Sequence, residues 1–519
     1  MKSLTTCIAL FVFALPLFGQ NPGDLDESFG SSGFVYLNNE TDTAEYLMDV
    51  ICLRNDKIIM AGYINHLNSF DLLFTKLNKN GSVDHTFGDN GYTTIDLNSG
   101  SSDKVERLIE LPDGKLLVVG SSYSNSVTDG FILRLNPDGS IDKSFGVGSK
   151  GYTLFNAGAQ TSCRAKDLEL FNGSVYVAAS TYSDDNGTDF SVFKFTQAGA
   201  LDQSFASKGS TLLPLLGNDD LLSMDMDKSG RFLLGGVSVA DGIQYGAVAK
   251  LNQFGLPTST FGGKGYFTYD KGSGLNTIID VQFDNEERMV AAGSEGKNPD
   301  KNGMIFRFLS DGTPDSTFSN DGVQTSDIGL TNGVFINRVM VEKNNSVIAL
   351  GYLKGPSYKD VYALKLKENG SPDFNFGSKG DINHPVSLNP SYLFFKAAAK
   401  QSDGNIVLAG TTTIKDMDAF NMSVVRLHNT EDSVATSGTT ELRSGTALSV
   451  YPNPMHSAFS IELASGAIER VELTDMVGNH MVEWGPEVSY SLPTDMVCGL
   501  YLLRVNTANG TYCKRVLVH

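Results

Sequence analysis

The chain has 519 residues, too many for one ordinary globular domain, so its length predicts either several domains or one large repeat structure. Its 59 acidic residues outnumber 40 basic residues, and the resulting formal net charge of −19 makes nucleic acid and anionic lipid unfavourable partners. Its 5 cysteines are too few and too scattered for a disulfide scaffold or a zinc site.

Residues 1–20 have the features of a secretory signal peptide. Lys2 precedes an apolar run from Cys7 to Phe18, and the small residue Gly19 follows it. The run is too short to span a bilayer, and no later segment approaches eighteen unbroken apolar residues. We therefore expect export through the inner-membrane secretory route and no transmembrane span in the mature protein.

A motif of the form Asp-x-Ser/Thr-Phe-Gly recurs about every 58 residues between residues 21 and 428. Its copies include LDESFGSSGF (25–34) and VDHTFGDNGY (83–92). Seven copies align on their phenylalanines, which are Phe29, Phe87, Phe145, Phe205, Phe261, Phe318 and Phe376. A fixed period of this length indicates a repeat architecture.

Each repeat contains four short apolar segments rich in Val, Ile and Phe. One of them, such as NIVLAG (405–410), follows a tight turn such as SDGN (402–405), and the last follows the motif, as GYTTIDL (91–97) does. Four strands in each of seven units predict an all-β fold, a seven-bladed β-propeller of four-stranded blades at residues 21–428. A right-handed solenoid of sheets is the alternative, but its rungs are usually much shorter, and the short apolar runs exclude helical repeats.

The repeated aspartates suggest either a ring of catalytic carboxylates or a set of identical turns. An Asp two residues before Ser or Thr accepts backbone hydrogen bonds in a turn, and the Phe anchors that turn in the core. A feature present in nearly every blade builds the blade, whereas active sites break symmetry, so we favour the structural role. The aspartates are Asp26, Asp84, Asp142, Asp202, Asp315 and Asp373, with Thr258 in the fifth copy.

A basic residue also recurs near the end of the third segment. The first six of these residues lie eight positions before the next motif's Asp or Thr258, which leaves Asp26 and Arg426 as unmatched ends. We predict that the N-terminal motif completes the last blade, with Asp26 near Arg426, and so closes the ring. The alternative is that these basic residues are strand-end charges that extend into solvent.

A different unit follows the repeats. Residues 429–447 are rich in Ser, Thr and Gly and predict a flexible linker. Residues 448–519 contain short alternating strands, the last two joined at Asn509-Gly510, and predict a small Ig-like β-sandwich.

This C-terminal unit closely resembles the type A C-terminal sorting domain of the type IX secretion system of Bacteroidota. The similarity rests on a YPNP segment, an L-x-D-x-x-G segment, a G-x-Y strand and a basic last strand. The matching positions are Tyr451, Pro452, Asn453, Pro454, Gly478, Gly499, Tyr501, Lys514 and Arg515. The resemblance implies that the type IX machinery is a partner and that the protein is secreted or attached to the cell surface.

The central region resembles the bacterial delta repeat, a β-propeller family of about sixty residues per repeat whose function is unknown. The resemblance rests on the L-D-x-S-F-G and D-G-K segments and on the strands that end in Arg-Leu. It implies a fold and no reaction. Thr258 and the absence of a motif after Arg426 depart from the family pattern.

Signals for enzyme chemistry are weak. The histidines show no metal-ligand spacing, and no G-x-S-x-G elbow occurs, so we predict no catalytic residue and no cofactor. Only the loop SDDNGTD (183–189) suggests an ion site, where Asp184, Asp185, Asn186 and Asp189 offer oxygen ligands of the kind that calcium takes. The spacing differs from that of an EF-hand, and we favour a plain turn over calcium.

The sequence leaves two functions open. The first is a secreted or cell-surface binding or scaffold protein whose loops recognise a glycan or a protein. The second is a secreted propeller enzyme that acts on polysaccharide through carboxylates gathered at one mouth of the channel. We prefer the first, because no pair of acidic residues stands apart from the repeat.

Overall fold

The structure is a computed structural model of the chain. It describes residues 21–429 except 38–42, 67–68, 159–160, 185–186, 271, 273–274, 297–301, 327–332, 355–358, 378–379, 385–389 and 415–419, and residues 442–518 except 444–447, 452–454, 456, 464–466, 476–479, 488, 494–495, 497–498 and 508–509. Within these ranges no helix is long and apolar enough to cross a membrane. The chain divides into two compact units, Met1–Asp432 and Ser433–His519.

The first unit contains seven four-stranded antiparallel sheets, which are the blades of a β-propeller. In blades 1 to 6 the four strands follow one another along the chain. After β1 (Phe34–Tyr36), these strands are β2 (Glu45–Cys52), β3 (Ile58–His66), β4 (Ser69–Leu77) and β5 (Tyr92–Ile95) in blade 1; β6 (Ser102–Glu110), β7 (Leu116–Ser124), β8 (Val127–Leu135) and β9 (Tyr152–Phe155) in blade 2; β10 (Thr161–Phe171), β11 (Ser174–Ser183), β12 (Gly187–Phe195) and β13 (Ser210–Leu213) in blade 3; β14 (Asn218–Met226), β15 (Phe232–Ala240), β16 (Ile243–Leu251) and β17 (Tyr266–Tyr269) in blade 4; β18 (Asn276–Phe283), β19 (Met289–Glu295), β20 (Asn302–Phe308) and β21 (Val323–Thr325) in blade 5; and β22 (Gly333–Val341), β23 (Val347–Lys354), β24 (Lys359–Leu366) and β25 (Asp381–His384) in blade 6. A short 3₁₀ helix, Val147–Ser149, precedes β9.

Blade 7 combines the two ends of the repeat region. Its first three strands are β26 (Pro390–Lys400), β27 (Ile406–Ile414) and β28 (Phe420–Leu427), and its fourth strand is β1. Phe34 lies opposite Val425 in an antiparallel register, and Leu25 forms a further bridge to Leu427. The N-terminal strand therefore covers the edge that β28 would otherwise expose.

The turn between the first and second strands explains the repeated Asp-Gly segments. One residue of this turn has a positive φ in every blade, which glycine adopts without a steric penalty. Gly114 (φ +80°) and Gly404 (φ +89°) occupy this place in two blades, while Asp56 (φ +62°) and Asn345 (φ +62°) show that other residues also adopt it.

The core lies in the seams between neighbouring blades. For example, Phe74 and Phe87 of blade 1 pack with Val105 and Leu116 of blade 2 in one buried cluster. All seven motif phenylalanines are at most 5 % exposed. Burying such a side chain contributes about 1.5–3 kcal/mol, so the motif fills the seams on which the ring depends.

The first strands contact one another around the propeller axis. Each of them contains a β-bulge at the equivalent position, near the middle of the strand. A bulge re-aims side chains and often lies next to functional sites. We call the seven bulged residues the bulge ring; they are Met48, Glu106, Lys166, Leu222, Ile279, Asn337 and Lys396.

The second unit is a two-sheet β-sandwich. One sheet has the order β29-β36-β35-β32-β33 and the other β30-β31-β34, and both contribute to one buried core. The strands are β29 (Leu442–Arg443), β30 (Leu448–Tyr451), β31 (Ala458–Leu463), β32 (Ile468–Asp475), β33 (His480–Trp484), β34 (Tyr490–Ser491), β35 (Gly499–Thr507) and β36 (Gly510–Val518). Arg504 lies opposite Cys513 in the terminal hairpin.

Both ends of the predicted linker take part in structure. Asn429 is fully buried in the first unit, where its side chain bonds to Lys365 and Glu342. Strand β29 pairs in parallel with β36. Composition alone did not predict these contacts, because a single amide or a two-residue strand does not change the polar character of the segment.

Candidate functional site

We call the end of the propeller that carries the Asp-x-Ser/Thr-Phe motifs the motif face. There, Asp26 Oδ1 accepts hydrogen bonds from the Ser28 backbone N–H (3.0 Å) and hydroxyl (2.6 Å), and Phe29 N–H donates to the Asp26 carbonyl (2.9 Å). The same side-chain bonds to the residue two positions on recur at Asp84, Asp142, Asp202, Asp315 and Asp373. These carboxylates therefore stabilise the repeated turns.

The motif also joins neighbouring blades. At six of the seven seams, the residue after the motif Phe donates its backbone N–H to a turn carbonyl of the next blade. These bonds run from Gly30 to Asn80 (2.9 Å), Gly88 to Asp138 (2.7 Å), Gly146 to Ala198 (2.8 Å), Gly262 to Asp311 (2.9 Å), Ser319 to Asn369 (2.9 Å) and Gly377 to Pro22 (2.8 Å). Among the described residues, Ala206 at the seam of blades 3 and 4 makes no such bond.

That open seam contains a cavity of about 700 Å³ lined by Phe171, Tyr176 and Phe205, among others. Phe254 and Leu256 at its edge are 62 % and 54 % exposed. This inter-blade bond is therefore missing at one seam of the described residues, where an alanine takes the place of the glycine or serine of the other copies.

The two ends of the repeat region meet in a buried ion pair. Arg426 Nε donates to Asp26 Oδ2 (2.8 Å), and its Nη2 lies 2.6 Å from the same oxygen. The guanidinium lies 4.7 Å from the centre of the Phe29 ring. Burial alone would raise the pKa of Asp26, but the Ser28 hydrogen bond and the Arg426 charge outweigh it and hold that pKa below its usual value. The two residues predicted to close the ring are thus in direct contact.

The corresponding basic residues of other blades differ in their partners. Direct pairs form between Arg134 and Asp142 (2.7 Å), Lys194 and Asp202 (2.9 Å), and Arg307 and Asp315 (2.7 Å), while Lys76 lies 4.0 Å from Asp84. Lys365 binds Glu342 (2.6 Å) instead of the motif aspartate. Lys250 donates to the Ser310 carbonyl (3.1 Å), and the buried hydroxyl of Thr258 has no hydrogen-bond partner in the described part of the chain.

A layer of charged side chains crosses the axis directly after the bulge ring. We call it the central layer; its members are Asp49, Arg107, Asp167, Ser223, Asp280, Arg338 and Ala397. Arg107 binds Asp167 through Nε (2.9 Å) and Nη2 (3.2 Å), and its Nη1 lies 3.4 Å from Asp49. Arg338 lies 3.4 Å from Asp49 and 3.7 Å from Asp280. The layer thus links blades 1, 2, 3, 5 and 6 across the axis.

Three acids of the central layer face two guanidinium groups. Burial raises the pKa of Asp49 to about 6 and that of Asp280 to about 7. Burial also disfavours the charged form of Arg107, but Asp167 and Asp49 raise its pKa above the usual value. Because the layer has three carboxyl groups and two guanidinium groups, one carboxyl group lacks a full positive partner and remains protonated at a higher pH than an exposed Asp does.

On the motif side of the central layer lies a cavity of about 330 Å³. Glu169 and Asp225, from equivalent positions of blades 3 and 4, line it together with Gln282 and Lys400. Burial and the nearby Asp225 raise the pKa of Glu169 well above its usual value, and burial raises that of Asp225 to about 6. Asp225 accepts backbone hydrogen bonds from Met226 (2.9 Å) and Phe283 (2.6 Å).

On the other side lies a smaller cavity of about 190 Å³, which we call the floor cavity. Its lining consists of the bulge ring with Arg107 and Arg338. It lies between the central layer and the loop face, which is the end of the propeller that carries the hairpins between second and third strands.

Aromatic side chains cluster on the loop face of three adjacent blades, and we call them the aromatic arc. In blades 6 and 7, Phe335 stacks on Tyr352 (4.9 Å between ring centres), which meets Phe394 edge-on (6.0 Å). The remaining contacts of the arc lie in blades 7 and 1, between Tyr46 and Tyr63 (5.0 Å), Tyr46 and Phe420 (5.3 Å), and Tyr63 and Phe70 (5.1 Å).

The arc belongs to part of the ring only. Phe335, Phe394 and Tyr46 occupy the position two residues before the bulge, which in the other blades holds Lys104, Arg164, Asp220 and Thr277. Phe394 is 37 % exposed, and Lys104 lies 4.5 Å from the centre of the Phe70 ring. The loop face therefore has an aromatic side and a polar side.

The predicted calcium residues are only partly described. Asp184 is exposed at the tip of the β11–β12 hairpin, and Asp185 and Asn186 lie outside the described residues. Asp189 is buried, its Oδ2 has no hydrogen-bond partner among the described atoms, and burial together with Asp219 raises its pKa to about 6. The described residues contain no group of three or more His, Cys, Asp or Glu placed to hold a metal.

The sorting-domain positions fall on the second unit. Tyr451 ends β30 and is 51 % exposed, while Tyr501 of β35 is buried in the core. Gly499 begins β35, and Lys514 and Arg515 lie in β36 opposite Leu503 and Leu502. Pro452, Asn453, Pro454 and Gly478 lie outside the described residues.

Sequence reasoning missed the central layer, the floor cavity and the aromatic arc. A signal was present in the first strand of blade 1, where Asp49 stands inside the otherwise apolar segment YLMDVIC. Alignment of the seven first strands would have found a position occupied by Asp, Arg, Asp, Ser, Asp, Arg and Ala.

Two family models match this chain. One is described as a domain of unknown function, beta-propeller, and matches residues 53–87, 111–145 and 172–205. The other is the secretion system C-terminal sorting domain and matches residues 449–519. The chain is therefore a repeat propeller with a type IX sorting domain, which directs export to the cell surface or the surrounding medium.

Solved structures with a similar fold have very different sequences. An ulvan lyase of a polysaccharide lyase family covers 79 % of this chain and 94 % of its own, with 8 % identity and a TM-score of 0.42. The Sqt1 protein of Chaetomium thermophilum covers 76 % and 98 % (10 % identity, TM-score 0.41), and an α-L-arabinofuranosidase of Fusarium graminearum covers 76 % and 95 % (10 % identity, TM-score 0.35). No curated protein matches the chain. At these values none of the similarities carries an activity over to it.

Proposed function

We propose that the exported propeller is a glycan-binding protein and that its ligand packs on the aromatic arc of the loop face. The arc is the observation that carries this proposal. Aromatic rings offer flat apolar surfaces to the C–H faces of sugar rings, and Tyr adds a hydroxyl that bonds to sugar hydroxyl groups.

The position of the arc also supports a ligand. Partly exposed aromatic residues converge across blades 6, 7 and 1. Aromatic residues that the repeat itself required would occur in all seven blades, so this cluster is not explained by blade construction. The polar side of the loop face supplies Lys104, Arg164 and Asp220 as hydrogen-bonding groups. An extended oligosaccharide meets both kinds of surface when it crosses the mouth of the propeller.

The test is an array of neutral and acidic oligosaccharides probed with the full chain, with and without calcium. We expect saturable binding that Phe394→Ala and Tyr63→Ala each weaken by at least about tenfold, or about 1.4 kcal/mol. Tyr182→Ala is the matched control, because Tyr182 is an exposed loop-face tyrosine (45 %) outside the arc. Binding that survives both arc variants, or a blank array with folded protein, would contradict the proposal.

An enzyme that acts on polysaccharide is the second candidate, and one observation favours it. Glu169 and Asp225 line one cavity, both have raised pKa values, and neither has an ion-pair partner within the described residues. Such a pair is suited to general acid–base chemistry. Release of new reducing ends from an array-positive polysaccharide, abolished by Glu169→Gln, would favour this candidate, and no release by the unaltered protein would remove it.

A further inference from the structure

The floor cavity contains a lysine without an acidic partner. Lys396 Nζ contacts the Met48 sulfur at 2.9 Å, and a thioether is a weak hydrogen-bond acceptor. No carboxylate of the described residues lies within 4 Å of this ammonium group. By contrast, the buried Lys365 has both a carboxylate and an amide oxygen within 3 Å.

A second donor in the same lining is also unsatisfied. Arg338 pairs with Asp49 and Asp280 through its two terminal nitrogens, but its Nε is buried and has no acceptor among the described groups. Lys396 and Arg338 belong to neighbouring blades 7 and 6, and both line the floor cavity. A lysine without a carboxylate partner and an arginine with one unsatisfied N–H therefore line one space.

The other cations of the floor already have acidic partners. Lys166 lies 3.6 Å from Asp220, and Arg107 is bound by Asp167. Glu106 is the acid of the lining, and its charge favours the charged form of Lys396. The surrounding protein atoms displace water and outweigh this effect, which lowers the Lys396 pKa below its usual value although the side chain still reaches solvent. The unmet demand in the cavity is for hydrogen-bond acceptors that carry negative charge.

The size of the cavity limits what enters it. Its 190 Å³ equals about six water volumes at about 30 Å³ each, which admits a carboxylate or a sulfate group with a few waters but no whole sugar ring and its neighbours. The remainder of a ligand has to lie above, on the loop face.

We propose that the floor cavity binds the anionic group of an acidic glycan, either the carboxylate of a uronic acid or a sulfate ester, with Lys396 as its main ligand and Arg338 beside it. The glycan part of this inference rests on the proposed function. The anion site itself does not.

The test measures thermal unfolding of the full chain with D-glucuronate, D-galactose 6-sulfate or neutral D-glucose at constant ionic strength. We expect at least one acidic sugar to raise Tm saturably, by on the order of 1–3 °C at a tenfold excess over its dissociation constant, while glucose has no effect. The response to the two acidic sugars distinguishes a carboxylate site from a sulfate site.

Three variants assign the shift to the floor. Lys396→Met should abolish it, Lys396→Arg should retain it, and Lys228→Met, which removes an exposed lysine at a turn, should leave it unchanged. Lys396→Met should fold, because Lys396 is solvent-exposed and has no carboxylate partner among the described residues, so its removal breaks no buried ion pair.

The inference is overturned if neither acidic sugar shifts Tm, or if Lys396→Met responds as the unaltered protein does. If neutral glycans bind on the array and no acidic sugar shifts Tm, the anion site is refuted and glycan binding is retained. If an acidic sugar shifts Tm and the array is blank, the anion site is retained and glycan binding is refuted.

Discussion

The two faces of this propeller are built from the same seven repeats but differ in how faithfully they repeat. On the motif face, almost every blade places an aspartate on its own Ser or Thr and buries a phenylalanine beneath a basic residue. On the loop face, equivalent positions hold Tyr46, Lys104 or Asp220 according to the blade. Repetition therefore marks the contacts that hold the ring together, and departure from it marks the surface free to bind a ligand.

The first way to test this comparison is a matched pair of phenylalanines. Phe318 of the motif face is fully buried, whereas Phe394 of the loop face is 37 % exposed. We expect Phe318→Ala to lower the free energy of unfolding by about 3–5 kcal/mol and Phe394→Ala by less than about 1 kcal/mol. Denaturant unfolding of both variants measures this, and equal losses would refute the assignment of structure to one face.

The closing pair should be nearly as important. Arg426→Met leaves the Asp26 carboxylate buried without its guanidinium, so we expect a loss of about 3 kcal/mol, the lower end of the range for breaking a buried pair, because Ser28 still donates to Asp26. Lys194→Met is the control, since its pair with Asp202 is about one-fifth exposed and should contribute less than about 1 kcal/mol. Similar losses at both sites would show that closure has no special role.

The central layer should give the protein a distinctive pH dependence. Because the folded-state pKa of Asp280 is about 7 and the usual value is 3.8, the folded protein binds more protons between these values than the unfolded chain does. The free energy of unfolding should therefore fall as the pH rises through this range, by at most about 1.4 kcal/mol per pH unit from this group. Asp280→Asn should make the slope between about pH 5 and 7 shallower.

Asp202→Asn serves as the control for that slope. The hydrogen bonds from Ser204 and Lys194 lower the pKa of Asp202 to about 2, so it is ionised in both states across the same range. An unchanged slope in Asp280→Asn, or an equal change in Asp202→Asn, would contradict the account of the central layer.

The smallest expected effect comes from restoring the motif aspartate at Thr258, the position where the fifth copy lacks it. In Thr258→Asp the new carboxylate would accept from Thr260, as Asp315 does from Thr317, and would face the buried Lys250. We expect a gain of about 1 kcal/mol in the free energy of unfolding. Thr258→Val, which removes the unpartnered hydroxyl without adding an acceptor, should gain less, and a loss in Thr258→Asp would show that this blade no longer accepts the repeated turn.

Sequence reasoning reached the features that repeat. The same residue pattern recurs in each copy of the repeat. It is enough to predict the strands, the number of blades and the proximity of Asp26 to Arg426. It did not reach the floor cavity or the aromatic arc, because these depend on which side chains of different blades meet around an axis. A bulge shifts the register by one residue, so whether Lys396 or Ala397 faces a given neighbour depends on a detail of backbone pairing that the residue pattern does not state.

The same limit applies to the partners of single residues. Lys365 has the spacing that places Arg307 on its motif aspartate, yet it binds Glu342 and Asn429 instead. Blades 4 and 5 place Asp227 and Asp284 at the position of Glu342, but those acids bind Arg231 and Arg288, whereas Glu342 is left to bind Lys365. The composition of the segment also gave no sign that Asn429 is buried, because its polar neighbours in the sequence are typical of a linker.

The contact between Asp26 and Arg426, next to the pairing of β1 with β28, joins residues that are 400 positions apart, and this sets the order of events as the chain emerges. At a synthesis rate of about 5–20 residues per second, the N-terminal strand exists for on the order of 20–80 s before its partner is made. During that interval six blades can assemble from local hairpins, while the seventh waits for both ends and a long loop must be closed. Completion of the ring thus reports that the whole repeat region has been synthesised, shortly before the sorting domain that follows it.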